Sequence, residues 1–177
     1  DGGSSWSEPM QIGPSARGED YAVDLHLVGS PSVPDELHVV WIQREAGREV
    51  LHAATVSTKA WKQTGTIDTT RLPPHRVTNV DAVPWPGGGL GVFYESPVTP
   101  KIGLHYVTYR NGKWGDLKQP FPGVRLVTLD AVGTGDEVQL VGYDYYRPEA
   151  KEPGDVRAVT AVYGPDVGDS GGCESLR

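Results

Sequence analysis

The amino-acid sequence predicts an all-β fold assembled from four-stranded antiparallel units. Three observations carry that expectation. Gly and Pro number 23 and 15 among 177 residues. That is roughly a fifth of the chain, against a usual share of about an eighth, so elements are short and long helical bundles are excluded. Short runs rich in Val, Leu, Tyr and Trp lie between Gly, Pro and Asp clusters, the pattern of strands and turns. These runs also recur in the same order along the chain.

First strands read Tyr21-Ala22-Val23-Asp24-Leu25, Thr78-Asn79-Val80-Asp81-Ala82 and Val127-Thr128-Leu129-Asp130-Ala131. Second strands read Leu37-His38-Val39-Val40-Trp41, Leu90-Gly91-Val92-Phe93-Tyr94 and Val138-Gln139-Leu140-Val141-Gly142. Third strands read Val50-Leu51-His52-Ala53-Ala54, Gly103-Leu104-His105-Tyr106-Val107 and Arg157-Ala158-Val159-Thr160-Ala161. Fourth strands open on a Trp, as Trp61-Lys62-Gln63 and Trp114-Gly115-Asp116, and Trp6-Ser7-Glu8-Pro9-Met10 supplies one more at the N-terminus. The Trp residues are spaced 55 and 53 positions apart. Four strands repeating every ~40–55 residues form the pattern of a β-propeller blade, whose strands are apolar on both faces because each blade packs between two others. The stretches 37–42 and 91–94 read that way. The units run over about 13–67, 68–121 and 122–165, with an N-terminal strand in 1–12 and a flexible tail in 166–177.

Asp1-Gly2-Gly3-Ser4-Ser5-Trp6 fits the pattern Asp-x-Gly-x-Ser/Thr-Trp, and the chain thereby resembles the sialidase-like propellers with Asp-box (BNR) repeats. Ser57-Thr58-Lys59-Ala60-Trp61 keeps the Ser, Thr and Trp of such a box, and Arg110-Asn111-Gly112-Lys113-Trp114 keeps a turn and the Trp. The resemblance implies a tight turn between third and fourth strands on the outer rim, with the Trp packed between blades. A sialidase centre would also need an Arg triad, a Tyr paired with Glu, and an Asp. The Arg residues here (Arg44, Arg48, Arg71, Arg76, Arg125 and Arg147) are scattered, and Tyr94 and Glu95 are adjacent, so on a strand they point to opposite faces. No catalytic role is carried onto these positions.

One fourth strand, two full units and a three-strand remainder make three blades' worth of strands. Known rings hold about four to eight blades, so three leave an open face and an unpaired edge. Two chains completing a six-bladed ring, or a fragment of a longer protein, would each resolve this. A smaller, differently closed β fold is the alternative. A chain that opens on Asp1 reads as processed, trimmed or excised from something longer.

Composition narrows the partners. The net charge is -7, from 23 acidic and 16 basic residues, and no Lys/Arg cluster occurs, which argues against nucleic acid and anionic membranes. No apolar run approaches the ~20 residues of a membrane-spanning helix. Cys173 is the single cysteine, so no internal disulfide or thiolate metal cluster forms, which is compatible with a secreted or extracytoplasmic protein. The histidines show no paired zinc spacing, and the repeat-equivalent His52 and His105 are expected on strand surfaces. Gly168-Asp169-Ser170-Gly171-Gly172 shares letters with a serine-protease nucleophile, but it reads as tail. Asp24, Asp81 and Asp130 take the same place in three first strands and would line a central channel. There they would hold water or a cation through oxygen, or else cap turns. Trp85, Tyr94, Tyr143 and Tyr145 are aromatic candidates for gripping a sugar ring, with packing as the alternative. The functional expectation is a module that binds a glycan or a protein partner, is non-catalytic on its own and needs no cofactor. Two alternatives are part of a sialidase-type glycoside hydrolase completed by another segment, and a structural propeller.

Overall fold

The computed structural model describes residues 5–15, 21–30, 33–45, 47–69, 77–96, 103–122, 126–133, 137–144 and 157–163. Among these residues the chain is all-β, with twelve strands in three antiparallel sheets and no helix. The first sheet runs in the order β1 (Ala22–Gly29), β2 (Glu36–Glu45), β3 (Arg48–Ser57) and β4 (Lys62–Ile67). The second runs β5 (Thr78–Pro84), β6 (Leu90–Ser96), β7 (Gly103–Arg110) and β8 (Lys113–Trp114), with β9 (Lys118–Pro122) also paired to β7. The third holds β10 (Leu126–Gly133), β11 (Val138–Asp144) and β12 (Arg157–Tyr163). Each is a meander in sequence order, as short strands joined by tight turns dictate. None closes on itself as a barrel among the described residues.

The sheets stack by their apolar faces. Val28, Val40, Ile42 and Leu51 of the first sheet pack on Val80, Ala82, Val92 and Tyr94 of the second. On its far side the second sheet places Val83, Phe93, Leu104 and Tyr106 against Val138 and Leu140 of the third. Every residue of β6 is therefore buried, which is why this strand lacks polar/apolar alternation. Neighbouring sheets approach most closely through their first strands, with β5 between β1 and β10.

Each first strand slips register near its start, between Val23 and His26, Thr78 and Val80, and Leu126 and Thr128. Asp24 (φ 49°) and Asn79 (φ 51°) adopt left-handed backbone at two of these bulges, a conformation Asp and Asn tolerate better than most residues. The bulge alters the expected alignment of the three aspartates. Pairing with the second strands sets His26 opposite Val40, Asp81 opposite Phe93 and Asp130 opposite Val141. His26, not Asp24, is the register equivalent of Asp81 and Asp130.

The tryptophans also differ from expectation. Residues 5–12 form no strand, and Trp6 is 92% exposed. This segment lies instead on the free face of the first sheet, where Met10 and Ile12 pack on Val39, Trp41, Ala54 and Val56. Its anchor is Gly13, whose N–H donates to Gln63 Oε1 at 3.0 Å, and the Trp41 ring passes so close that a Cβ there would clash at 2.4 Å. Trp61 sits in the β3–β4 turn with left-handed φ of 50° and remains half exposed. Trp114 does pack between sheets: its ring lies on Tyr109, and its indole N–H donates to the carbonyl of Asp68. Asn111 and Gly112 form the β7–β8 turn, both with positive φ as a two-residue type I′ hairpin requires. The first four residues of the Asp-box match, the 166–177 tail with Cys173, and Tyr145 lie outside the described residues.

Candidate functional site

Two features between the sheets carry chemistry. The first is a junction at the first strands. Asp81 on β5 is buried, and its Oδ1 lies 3.0 Å from His26 Nδ1 on β1. The same oxygen accepts the Ala82 N–H at 2.7 Å, while Oδ2 accepts the Ala131 N–H from β10. One carboxylate thus ties all three sheets together. It holds the His26 pKa above the ordinary 6.5, through the hydrogen bond first and then the charges of Asp81 and Asp24, against the opposing effect of burial. Asp24 and Asp130 are exposed, unlike the buried Asp81. Among the described residues no group of three or more His, Cys, Asp or Glu is placed to hold a metal ion.

The second feature is a cavity of about 370 Å³ between the first and second sheets. The β1–β2 turn contributes Ser30 and Val33, β2 contributes Glu36 and His38, and β3 contributes Thr55. The opposite wall is the Gly87-Gly88-Gly89 turn with Tyr109, Arg110, Asn111 and Gly112. Gly89 is required here: its φ is +102°, and a Cβ would come within 2.3 Å of the Tyr109 carbonyl oxygen. Arg110 is held by a hydrogen bond from Nη2 to the Pro86 carbonyl. His38 is 5% exposed, its Nδ1 has no hydrogen-bond partner, and Tyr109 meets its ring edge-on at 6.3 Å. Burial pushes its pKa down, with Glu36 partly opposing, so the imidazole is neutral near neutral pH.

The aromatic candidates are spread out. Tyr94 is 2% exposed, with a ring face covered by His105 at 5.5 Å and a hydroxyl that burial raises well above the usual range. A ring so enclosed is core, not a surface platform for sugar. Trp85 stacks on Tyr106 at 5.5 Å and roofs Gly91, so that face too is taken by packing. Tyr143 is placed by its backbone on β11, opposite Thr128. His105 is buried, not on a strand surface as expected, and His52 is part-buried, stacked on Trp41. Glu95 is buried at the end of β6 and accepts hydrogen bonds from Thr78 and Asn79. Of the scattered Arg residues, Arg44 covers the Tyr21 ring at 5.7 Å, and Arg71, Arg76, Arg125 and Arg147 lie outside the described residues. His26 and His38 carry the two features, and sequence reasoning passed over both. The available signal was position: each falls on a strand between apolar neighbours.

Compared with known proteins, no protein-family model matches the chain, and no curated protein matches it. A solved structure described as a "putative glycoside hydrolase from Parabacteroides distasonis ATCC 8503" is similar over 88% of this chain, with 14% identity and a TM-score of 0.51. The chain spans about half of that protein, 52% of its length. At this identity the likeness concerns the fold alone.

Proposed function

We propose that the three sheets are blades of a sialidase-like propeller and that the chain is a carbohydrate-binding module acting through the cavity at His38. The blade reading draws support from the repeated meander, the stacking of both faces of the second sheet, and the close approach of β1, β5 and β10. The observation that carries the binding reading is the cavity itself. Its volume falls in the range of ~300–1,000 Å³ typical of small-molecule sites. A saccharide needs an aromatic surface for its C–H face and donors and acceptors for its hydroxyls. Tyr109 offers the first, and Arg110, Asn111, Glu36 and His38 offer the second. A glycan ligand also suits a secreted or extracytoplasmic setting, and the fold neighbour's description points to the same substrate class.

Binding is favoured over catalysis by the acid count. Glycoside hydrolysis generally uses two carboxyl groups ~5–10 Å apart across the scissile bond. Among the described residues lining this cavity, Glu36 is the single carboxylate. The test is calorimetric titration with neutral and acidic mono- and disaccharides. Wild type is expected to bind at least one class, and Tyr109→Ala and Arg110→Ala to lose it. Absence of any saccharide binding, or binding undiminished in both variants, overturns the assignment. Sugar release on prolonged incubation would favour the hydrolase reading instead.

A further inference from the structure

We infer that Asn111 is a self-modifying position: its side-chain amide is lost spontaneously as ammonia, and the wall of the cavity changes charge as the protein ages. The chemistry stands without the cavity reading; only its effect on sugar binding rests on that reading. The chain has two asparagines, and the structure treats them oppositely. Asn79 is followed by the buried, β-branched Val80, and its Nδ2 donates to Glu95 Oε2 at 3.2 Å. Asn111 is exposed at the tip of the β7–β8 hairpin and is followed by Gly112. Among the described residues, no hydrogen bond holds its carboxamide. A Cβ at Gly112 would meet nothing within 4 Å, so the space around this residue is open.

Ring closure between the two residues needs rotation about ψ and χ1 of Asn111. Gly112 presents no side chain to oppose it. β8 is two residues long, pairing Lys113 with Arg110 and Trp114 with Tyr109, and so short a hairpin end opens at small free-energy cost. Hydroxide removes the Gly112 amide proton, which the flanking Arg110 and Lys113 cations favour. The nitrogen then attacks Cγ of Asn111. The N–Cγ bond forms, the Cγ–Nδ2 bond breaks, and Nδ2 leaves as ammonia with a proton from water, which returns the hydroxide. Water next opens the resulting five-membered succinimide. Breaking the N–Cγ bond leaves an aspartate. Breaking the bond from the nitrogen to the main-chain carbonyl carbon leaves an isoaspartate, with the chain routed through the side chain. The net change is one water consumed and one ammonia released.

The products change the cavity in two ways. Asn111 lines it together with Arg110, Glu36 and His38, and among the described lining residues Glu36 is the single carboxylate. The reaction adds a second. A carboxamide both donates and accepts hydrogen bonds, whereas a carboxylate only accepts, and the new charge competes with a ligand for the Arg110 guanidinium. The isoaspartate also lengthens the backbone by one carbon, which removes the paired left-handed conformations of the two-residue turn.

Ageing the folded full chain at mildly alkaline pH and body temperature, followed by chymotryptic peptide mass mapping, tests this. The peptide carrying Asn111 is expected to gain about one mass unit over days, faster as pH rises, and to become a substrate for an isoaspartyl methyltransferase. The Asn79 peptide should stay unchanged, and Asn111→Gln should abolish the gain. The aged chain and a fresh Asn111→Asp variant should each bind sugar roughly 10-fold more weakly than fresh wild type. No mass gain at Asn111, an equal gain at Asn79, or a gain confined to chain unfolded in urea would each overturn the site. A modified chain that binds sugar like fresh wild type overturns the effect on the cavity. Fresh wild type that binds no sugar removes the cavity reading, and the mass gain at Asn111 still decides the modification.

Discussion

His26 and His38 sit on adjacent strands of one hairpin, both between the first and second sheets, yet their surroundings are opposite. His26 meets a buried carboxylate that also holds the third sheet, and that contact raises its pKa. His38 faces a recess, has no hydrogen bond to Nδ1, and is held neutral by burial. At the junction the Asp81 carboxylate faces His26 Nδ1 and accepts the Ala82 and Ala131 amides, so the junction stabilises. At the recess His38 Nδ1 is buried without a hydrogen-bond partner, which costs free energy. The same sheet-to-sheet contact is thus a fastening where the first strands meet and a recess where the turns splay apart.

Breaking the fastening should have the largest effect. Asp81→Ala removes the acceptor for His26, Ala82 and Ala131 and is expected to cost about 3 kcal/mol in urea unfolding. Asp81→Asn, which keeps an acceptor oxygen, should lose about half as much. An Asp81→Ala variant as stable as wild type would mean that the three hydrogen bonds do not hold the sheets. Next comes the cavity wall. Gly89→Ala forces a side chain into left-handed backbone against the Tyr109 carbonyl, and should lower stability by about 2 kcal/mol and weaken sugar binding together.

His38→Leu separates the two regions most sharply. Replacing an unsatisfied buried imidazole by an apolar side chain should leave stability unchanged or raise it by up to about 1 kcal/mol, while saccharide binding is lost. Loss of both would make His38 a structural residue. The smallest effect expected is on pH dependence. The raised pKa of His26 contributes stability that is present below its unfolded value of 6.5 and lost as pH rises through the folded value. The lowered pKa of His38 contributes stability that is present above 6.5 and lost as pH falls toward the folded value. The melting temperature should therefore peak near pH 6.5. His26→Ala should flatten the alkaline side alone, and His38→Leu the acid side alone.

Much of this architecture was legible in the residues. The β-branched and aromatic runs, the Asn111-Gly112 turn and the repeat spacing all emerge as strands and turns in the expected order. The site was less legible. A single bulge in β1 moved Asp24 out of line and put His26 in its place, because one extra residue reverses which side chains face a neighbour. Tyr94 and Trp85 looked like surface aromatics by position, but the stacking of the second sheet buried the first and capped the second. His38 looked like any strand histidine until the glycine turn of the neighbouring sheet arrived opposite it.

Local chemistry along the chain determined the strands, their turns and their succession in antiparallel meanders, since these depend on residues within a few positions of one another. Tertiary structure alone decided which carboxylate became the tie, which histidine was paired and which was left facing a cavity. It also decided which equivalent valines were buried and which were left exposed. Those outcomes depend on groups some 50 residues apart, such as Asp81 and the Ala131 amide, meeting across sheets, and no local pattern encodes the surface that will face them.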